Sequence, residues 1–155
     1  MNHLFIFSEG IWLGEGKIYL NMLEEELVFF TRWKVEKKNL ENCIECIQEI
    51  QVKGLSDIMT NHFILSDFST TSFSILMENH AVGKVDGKGM MSPDRLGWEF
   101  RVKEIGFEGF EFYEKKSDEV YSVHGEFSTS DDLRTTIHGK IWRQLNSQAG
   151  ENENK

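Results

Sequence analysis

Apolar and polar residues alternate along almost the whole chain, in about ten short runs separated by turn-forming residues. A period of two marks a half-buried strand, so this pattern restricts the chain to an all-β fold before any residue is singled out. The first run, Gly10 to Leu20, sets Trp12, Gly14, Gly16, Ile18 and Leu20 on one face, opposite Glu15, Lys17 and Tyr19. The second groups Leu27, Phe29, Thr31, Trp33 and Val35. A sixth repeats the glycine pattern with Ala81, Gly83, Val85, Gly87, Gly89 and Met91, and a seventh turns Leu96, Trp98, Phe100 and Val102 inward. The third run, "CIECIQEIQVK", also fits a short helix through Leu40, Ile44 and Ile47; its isoleucine and valine content favours a strand.

Hairpin-length connections between successive strands make an up-and-down meander. A meander of this length exposes two edges unless it closes, and closure removes them. A β-sandwich, the main rival, needs longer crossing connections than the sequence offers. The expected fold is an antiparallel meander β-barrel of about ten strands over residues 1–145. A polar tail, residues 146–155, is expected to be disordered.

Composition narrows the partners. With 155 residues and 39% hydrophobic content the chain can bury a substantial core. A net charge of −9 disfavours nucleic acid and anionic membrane surfaces, both of which need a basic patch. The apolar run Leu4 to Phe7 is too short for a signal peptide, and no segment reaches the length of a membrane span. Two cysteines without an export signal point to the cytoplasm. Monomer and homodimer both stay open.

Motifs that carry chemistry are scarce. Cys43 and Cys46 form a Cys-x-x-Cys, but no second pair completes a zinc site. On a strand the two lie about 10 Å apart on opposite faces, at ~3.3 Å per residue, beyond disulfide reach. Cys46 then reads as an ordinary buried residue. The five histidines show no metal-ligand spacing, and His124 falls on the outward face. No Gly-x-Ser-x-Gly occurs, and Asp131 and Asp132 adjoin a turn. The sequence thus nominates no catalytic residue and no metal site. Its inward polar residues are mainly Thr31, Gln48 and Asn61.

The opening Gly10-x-Trp12, with Arg143 near the end of the last run, resembles the calycins, the superfamily of lipocalins and fatty-acid-binding proteins. The longer form, Gly10-x-Trp12-x-Gly14-x-Gly16, is more similar to ten-stranded nitrobindin-like barrels. That resemblance implies an interior ligand cavity, with Arg143 packed over Trp12 to close the barrel. In fatty-acid-binding proteins an Arg-x-Tyr holds a carboxylate, but here Arg143 is followed by Gln144 and Leu145, without the tyrosine. In nitrobindins a histidine on the final strand ligates haem, which nominates His138. Parity turns His138 outward with Thr136 and Lys140, unless a bulge at Gly139 reverses it. A solvated surface histidine is the alternative.

The leading expectation is a binding protein for a small, largely apolar ligand. Its cavity would be lined by Trp12, Gly14, Gly16, Phe29, Thr31, Trp33, Gly87, Gly89, Trp98 and Phe100. The same glycines equally suit sheet coiling around an interior filled by the aromatics. Other readings are a haem-binding nitrobindin-like protein, an interaction module built on a packed barrel, and a small barrel enzyme. The enzyme would need two ionisable groups converging inside the barrel.

Overall fold

A computed structural model describes residues 3–145; the expected tail at 146–155 lies outside the described residues. Ten strands form in the order of the alternating runs. They are β1 (Gly10–Leu20), β2 (Leu27–Val35), β3 (Ile44–Val52), β4 (Ile58–Ser66) and β5 (Ser72–Asn79), followed by β6 (Gly83–Ser92), β7 (Arg95–Val102), β8 (Phe107–Ser117), β9 (Val120–Ser128) and β10 (Arg134–Arg143). Each strand pairs antiparallel with its sequence neighbours, and β10 returns to β1, closing the barrel. "CIECIQEIQVK" is a strand: β3 buries Ile44, Cys46, Gln48 and Val52 on alternate positions, and both cysteines are free thiols. Among the described residues no helix is long and apolar enough to cross a membrane. A 3-10 turn, Lys103–Ile105, joins β7 to β8 and ends on Gly106 at φ +64°, a left-handed position that suits glycine.

One inward assignment shifts. Ala81 and Val82 belong to the β5–β6 turn, and Gly83 leaves it at φ +72° as an exposed residue. Inward glycines on β6 therefore begin at Gly87.

The two ends of the barrel differ. Residues preceding β1 fold back into the end from which β1 starts, and Phe5 and Ile6 there are fully buried. The Phe5 ring lies 4.7 Å from Tyr113, 5.2 Å from Trp12, 5.3 Å from Trp33 and 5.6 Å from Tyr121, centroid to centroid. Edge-on and tilted packing at these separations adds specific attraction to the burial itself. His3 fastens the plug: its imidazole lies 2.7 Å from the Tyr121 hydroxyl and 2.6 Å from the Ser92 carbonyl. This plugged end holds the main core, with Trp33, Trp98, Phe63, Leu65 and Leu96. At the opposite end a separate, smaller cluster of Ile18, Phe29 and Val52 closes the barrel, supported by Leu20, Leu27, Ile50 and Ile137.

Candidate functional site

The glycine faces sit where alternation puts them, but the space above them is taken. A methyl group on Gly14 would come within 2.7 Å of Ile141 and 2.8 Å of Thr31, and on Gly16 within 2.8 Å of the Phe29 ring. On β6 the Phe100 ring stands 2.6 Å from the same position at Gly87, and the Phe73 ring overlaps it at Gly89. These glycines let large side chains lie flat across the interior. Trp12 is sealed beneath Phe5, and Trp98 packs against Trp33, Phe63 and Tyr113.

Between the main core and the smaller cluster an interior pocket of ≈ 30 Å³ remains. Its wall includes Phe29, Thr31 and Trp33 of the expected cavity residues, joined by Gln48, Glu111 and Tyr113. The volume suits one or two water molecules, or one small polar group.

Polar groups gather around this pocket. Thr31 on β2, Gln48 on β3, Asn61 on β4 and Asn79 on β5 form a hydrogen-bonded ladder across the inner wall. The Gln48 amide donates to Thr31 Oγ1 at 3.2 Å, the Asn61 amide to Gln48 Oε1 at 3.0 Å, and the Asn79 amide to Asn61 Oδ1 at 2.9 Å. Thr31 passes its own proton to the Glu49 carbonyl at 2.9 Å. Asn79 Oδ1 accepts the main-chain N–H groups of Ala81 and Val82, both at 2.9 Å, which ties the ladder to the β5–β6 turn.

Across the interior, β8 turns Glu111 and Tyr113 inward, and the Tyr113 hydroxyl donates to Glu111 Oε1 at 2.7 Å. Burial raises the Glu111 carboxyl to about 7 against that bond, which favours the charged form. Burial also drives the Tyr113 phenol well above its ordinary range, and the neighbouring carboxylate adds to the effect. Gly125 on β9 faces Glu111, and a methyl group there would stand 2.9 Å from the Glu111 Cγ, so glycine makes room for the carboxyl. Among the described residues one buried side-chain donor has no partner, the indole Nε1–H of Trp33, a fully buried residue of this wall. An unmade hydrogen bond on a buried donor costs about 1–3 kcal/mol, so such a group calls for an explanation.

His138 and Arg143 lie elsewhere. Pairing runs in regular register through Gly139, and His138 stays on the outer face. Its Nδ1 is 3.2 Å from Nδ1 of His124, whose Nε2 lies 2.8 Å from Glu126. Both histidines border an outer groove of ≈ 350 Å³ with Phe112 and Arg95. Arg143 pairs with Trp12 in register, yet its guanidinium lies near Gly10, Nε 3.5 Å from where a Cβ would be. The ring contacts of Trp12 are made by Phe5 and Tyr121.

Haem does not fit the interior. Among the described residues no histidine lines the pocket to ligate its iron, and buried His3 is committed to Tyr121 and Ser92.

Fold and site together define a closed ten-stranded antiparallel barrel with a polar pocket between two apolar clusters. A solved structure sharing this fold is an S-type phycobiliprotein lyase, CPES, from Guillardia theta. It superposes with a TM-score of 0.67 at 9% identity, over 90% of this chain and 89% of that chain. A putative AttH from Nitrosomonas europaea overlaps at a TM-score of 0.37 and 11% identity, over 86% of this chain and 49% of that one, a likeness too slight to bear on the fold. No protein-family model matches the chain, and no curated protein does.

Proposed function

We propose that the protein binds a small, largely apolar molecule inside the barrel, with the ligand's polar end seated at the Trp33–Glu111 pocket. The observation that carries this reading is the unpartnered Trp33 Nε1–H, a buried donor in the wall of an otherwise filled interior. An occupant supplies the missing acceptor. Access runs through the end opposite the plug. The cluster there buries only Ile18, Phe29 and Val52, whereas the plugged end carries the main core. A ligand of ordinary size needs hundreds of Å³, so it enters by displacing the smaller cluster, and the ≈ 30 Å³ pocket is the seat it reaches. Likeness in fold to a phycobiliprotein lyase supports a barrel that handles a small molecule, without naming one for this chain. The nitrobindin-like, haem-binding alternative is disfavoured by the outward His138.

A second reading, a small barrel enzyme, draws on the Glu111–Tyr113 pair, because a carboxyl near neutral pH can exchange protons with a substrate. The Thr31 hydroxyl in the same wall donates to the Glu49 carbonyl rather than to this carboxyl, and the phenol keeps its proton, so binding is the stronger reading. Titrating intrinsic tryptophan fluorescence with fatty acids, long-chain alcohols and amines, retinoids and tetrapyrroles tests it. A saturable change with at least one class is expected. A flat response across the panel overturns the reading.

A further inference from the structure

The proposed binding reading leaves open which polar end the pocket accepts, and the charges around it bear on that question. Among the described residues the pocket wall holds one carboxyl, Glu111, and no arginine. Lys140 also borders the pocket, and its carbonyl oxygen lies 2.8 Å from where a Cβ on Gly14 would be. Its ammonium instead stands 5.9 Å from the centre of the Trp142 ring, and Lys140 is an exposed residue. The strands flanking Glu111 present Trp98 and Gly125 beside it, and Tyr113 on its own strand is the titratable neighbour. The opposite wall offers the Thr31–Gln48–Asn61 ladder, which is uncharged and already bonded to itself. A carboxylate arriving here would meet a second carboxyl in a low-dielectric enclosure, with no cation to offset it. Like charges in such a setting repel strongly, and an unpaired buried charge is costly.

The unused capacity is complementary. Trp33 Nε1–H offers a donor, and Glu111 offers an acceptor beyond its bond to Tyr113. A hydroxyl carries both matching functions in one small group, and an ammonium, which only donates, pairs with the Glu111 carboxylate. We infer that the pocket selects ligands by their polar end, taking an apolar alcohol or amine and rejecting the corresponding carboxylate. The inference rests on the binding reading above but makes a separate claim. Size alone would admit all three end groups; the Glu111 carboxyl is what separates them. It also sets this chain apart from the carboxylate-holding arrangement implied by its resemblance to fatty-acid-binding proteins, whose arginine counterpart, Arg143, lies beside Gly10.

The test uses the full chain and a straight-chain amine, alcohol and carboxylate of one length, each titrated above neutral pH against tryptophan fluorescence. Wild type is expected to bind the alcohol and the amine at least about tenfold more tightly than the carboxylate, a modest gap for one buried like-charge contact. In Glu111→Gln that gap closes through a gain for the carboxylate, and the amine loses its advantage. Trp33→Phe keeps an aromatic ring but removes the N–H, and weakens the alcohol by about tenfold, the worth of one buried hydrogen bond. Urea unfolding of each variant establishes that it is folded before titration. Equal affinities for the three ligands, or a gap unchanged by Glu111→Gln, overturn the charge selection while leaving the binding reading standing. If none of the three binds, both fail.

Discussion

Glu111→Gln isolates the energetic consequence of placing a carboxyl inside the barrel. The native carboxyl titrates at about 7 against an ordinary value of 4.5. Between these values the folded protein holds a proton that the unfolded chain has released, so stability falls as pH rises through the window. Below 4.5 both states are protonated and the term vanishes; above about 7 the loss is complete. Linkage over those two values gives a loss of about 2.5 kcal/mol from about pH 5 to about pH 8. Glutamine keeps an oxygen for the Tyr113 hydroxyl and has no proton to lose. The other acidic groups titrate in both proteins and cancel in the difference. Urea unfolding followed by tryptophan fluorescence, repeated across that pH range, should show the variant gaining about 2.5 kcal/mol on wild type. Two curves that run parallel within about 0.5 kcal/mol would refute a half-buried, proton-holding Glu111.

Three further outcomes follow from the packing. Phe5→Ala removes a fully buried ring that touches Trp12, Trp33, Tyr113 and Tyr121, and should cost about 3–5 kcal/mol in urea unfolding; a loss under about 1 kcal/mol would mean the plug is not part of the core. Gly89→Ala forces a methyl group into the Phe73 ring and should destabilise by about 1–3 kcal/mol, with Phe73→Leu in the same chain recovering part of it; additive effects would contradict the contact. Partly exposed Cys43 should react readily with a thiol reagent under native conditions, while Cys46, buried and with its thiol pushed up by that burial, should react only on unfolding; equal rates would contradict the inward face of β3.

The strands were legible because most of them obey one rule, apolar in and polar out, and because closure follows from a meander with short turns. Parity also placed His138, His124 and Cys46 on the faces they occupy. The plug escaped the same rule. Phe5 and Ile6 are adjacent and both buried, with Ile6 at φ +69°, a conformation that alternation cannot anticipate. Glu111 was hidden for a different reason. On β8 the outward face carries Phe110 and Phe112, whereas the inward face carries Gly109, Glu111 and Tyr113, so hydrophobicity alone points the strand the wrong way. The neighbouring strands held the usable signal: Trp98 on β7 and Gly125 on β9 flank Glu111, and a glycine opposite a glutamate marks space kept for a carboxyl. The aromatic positions were legible as inward, but their filling of the space above Gly14, Gly16, Gly87 and Gly89 depends on which rotamers pack across the barrel. Sequence periodicity carries no such information.

The central claim is that a ligand completes the Trp33 indole hydrogen bond, and the resonance of that N–H reads it directly. The chain has four tryptophans, so ¹⁵N-labelled protein gives few indole signals, and Trp33→Phe assigns the relevant one by its disappearance. On titration with a long-chain alcohol, the Trp33 signal should move saturably downfield as its proton gains an acceptor, while the signal of Trp142 on the outer face stays in place. A Trp33 signal that does not move while the ligand binds would contradict the account.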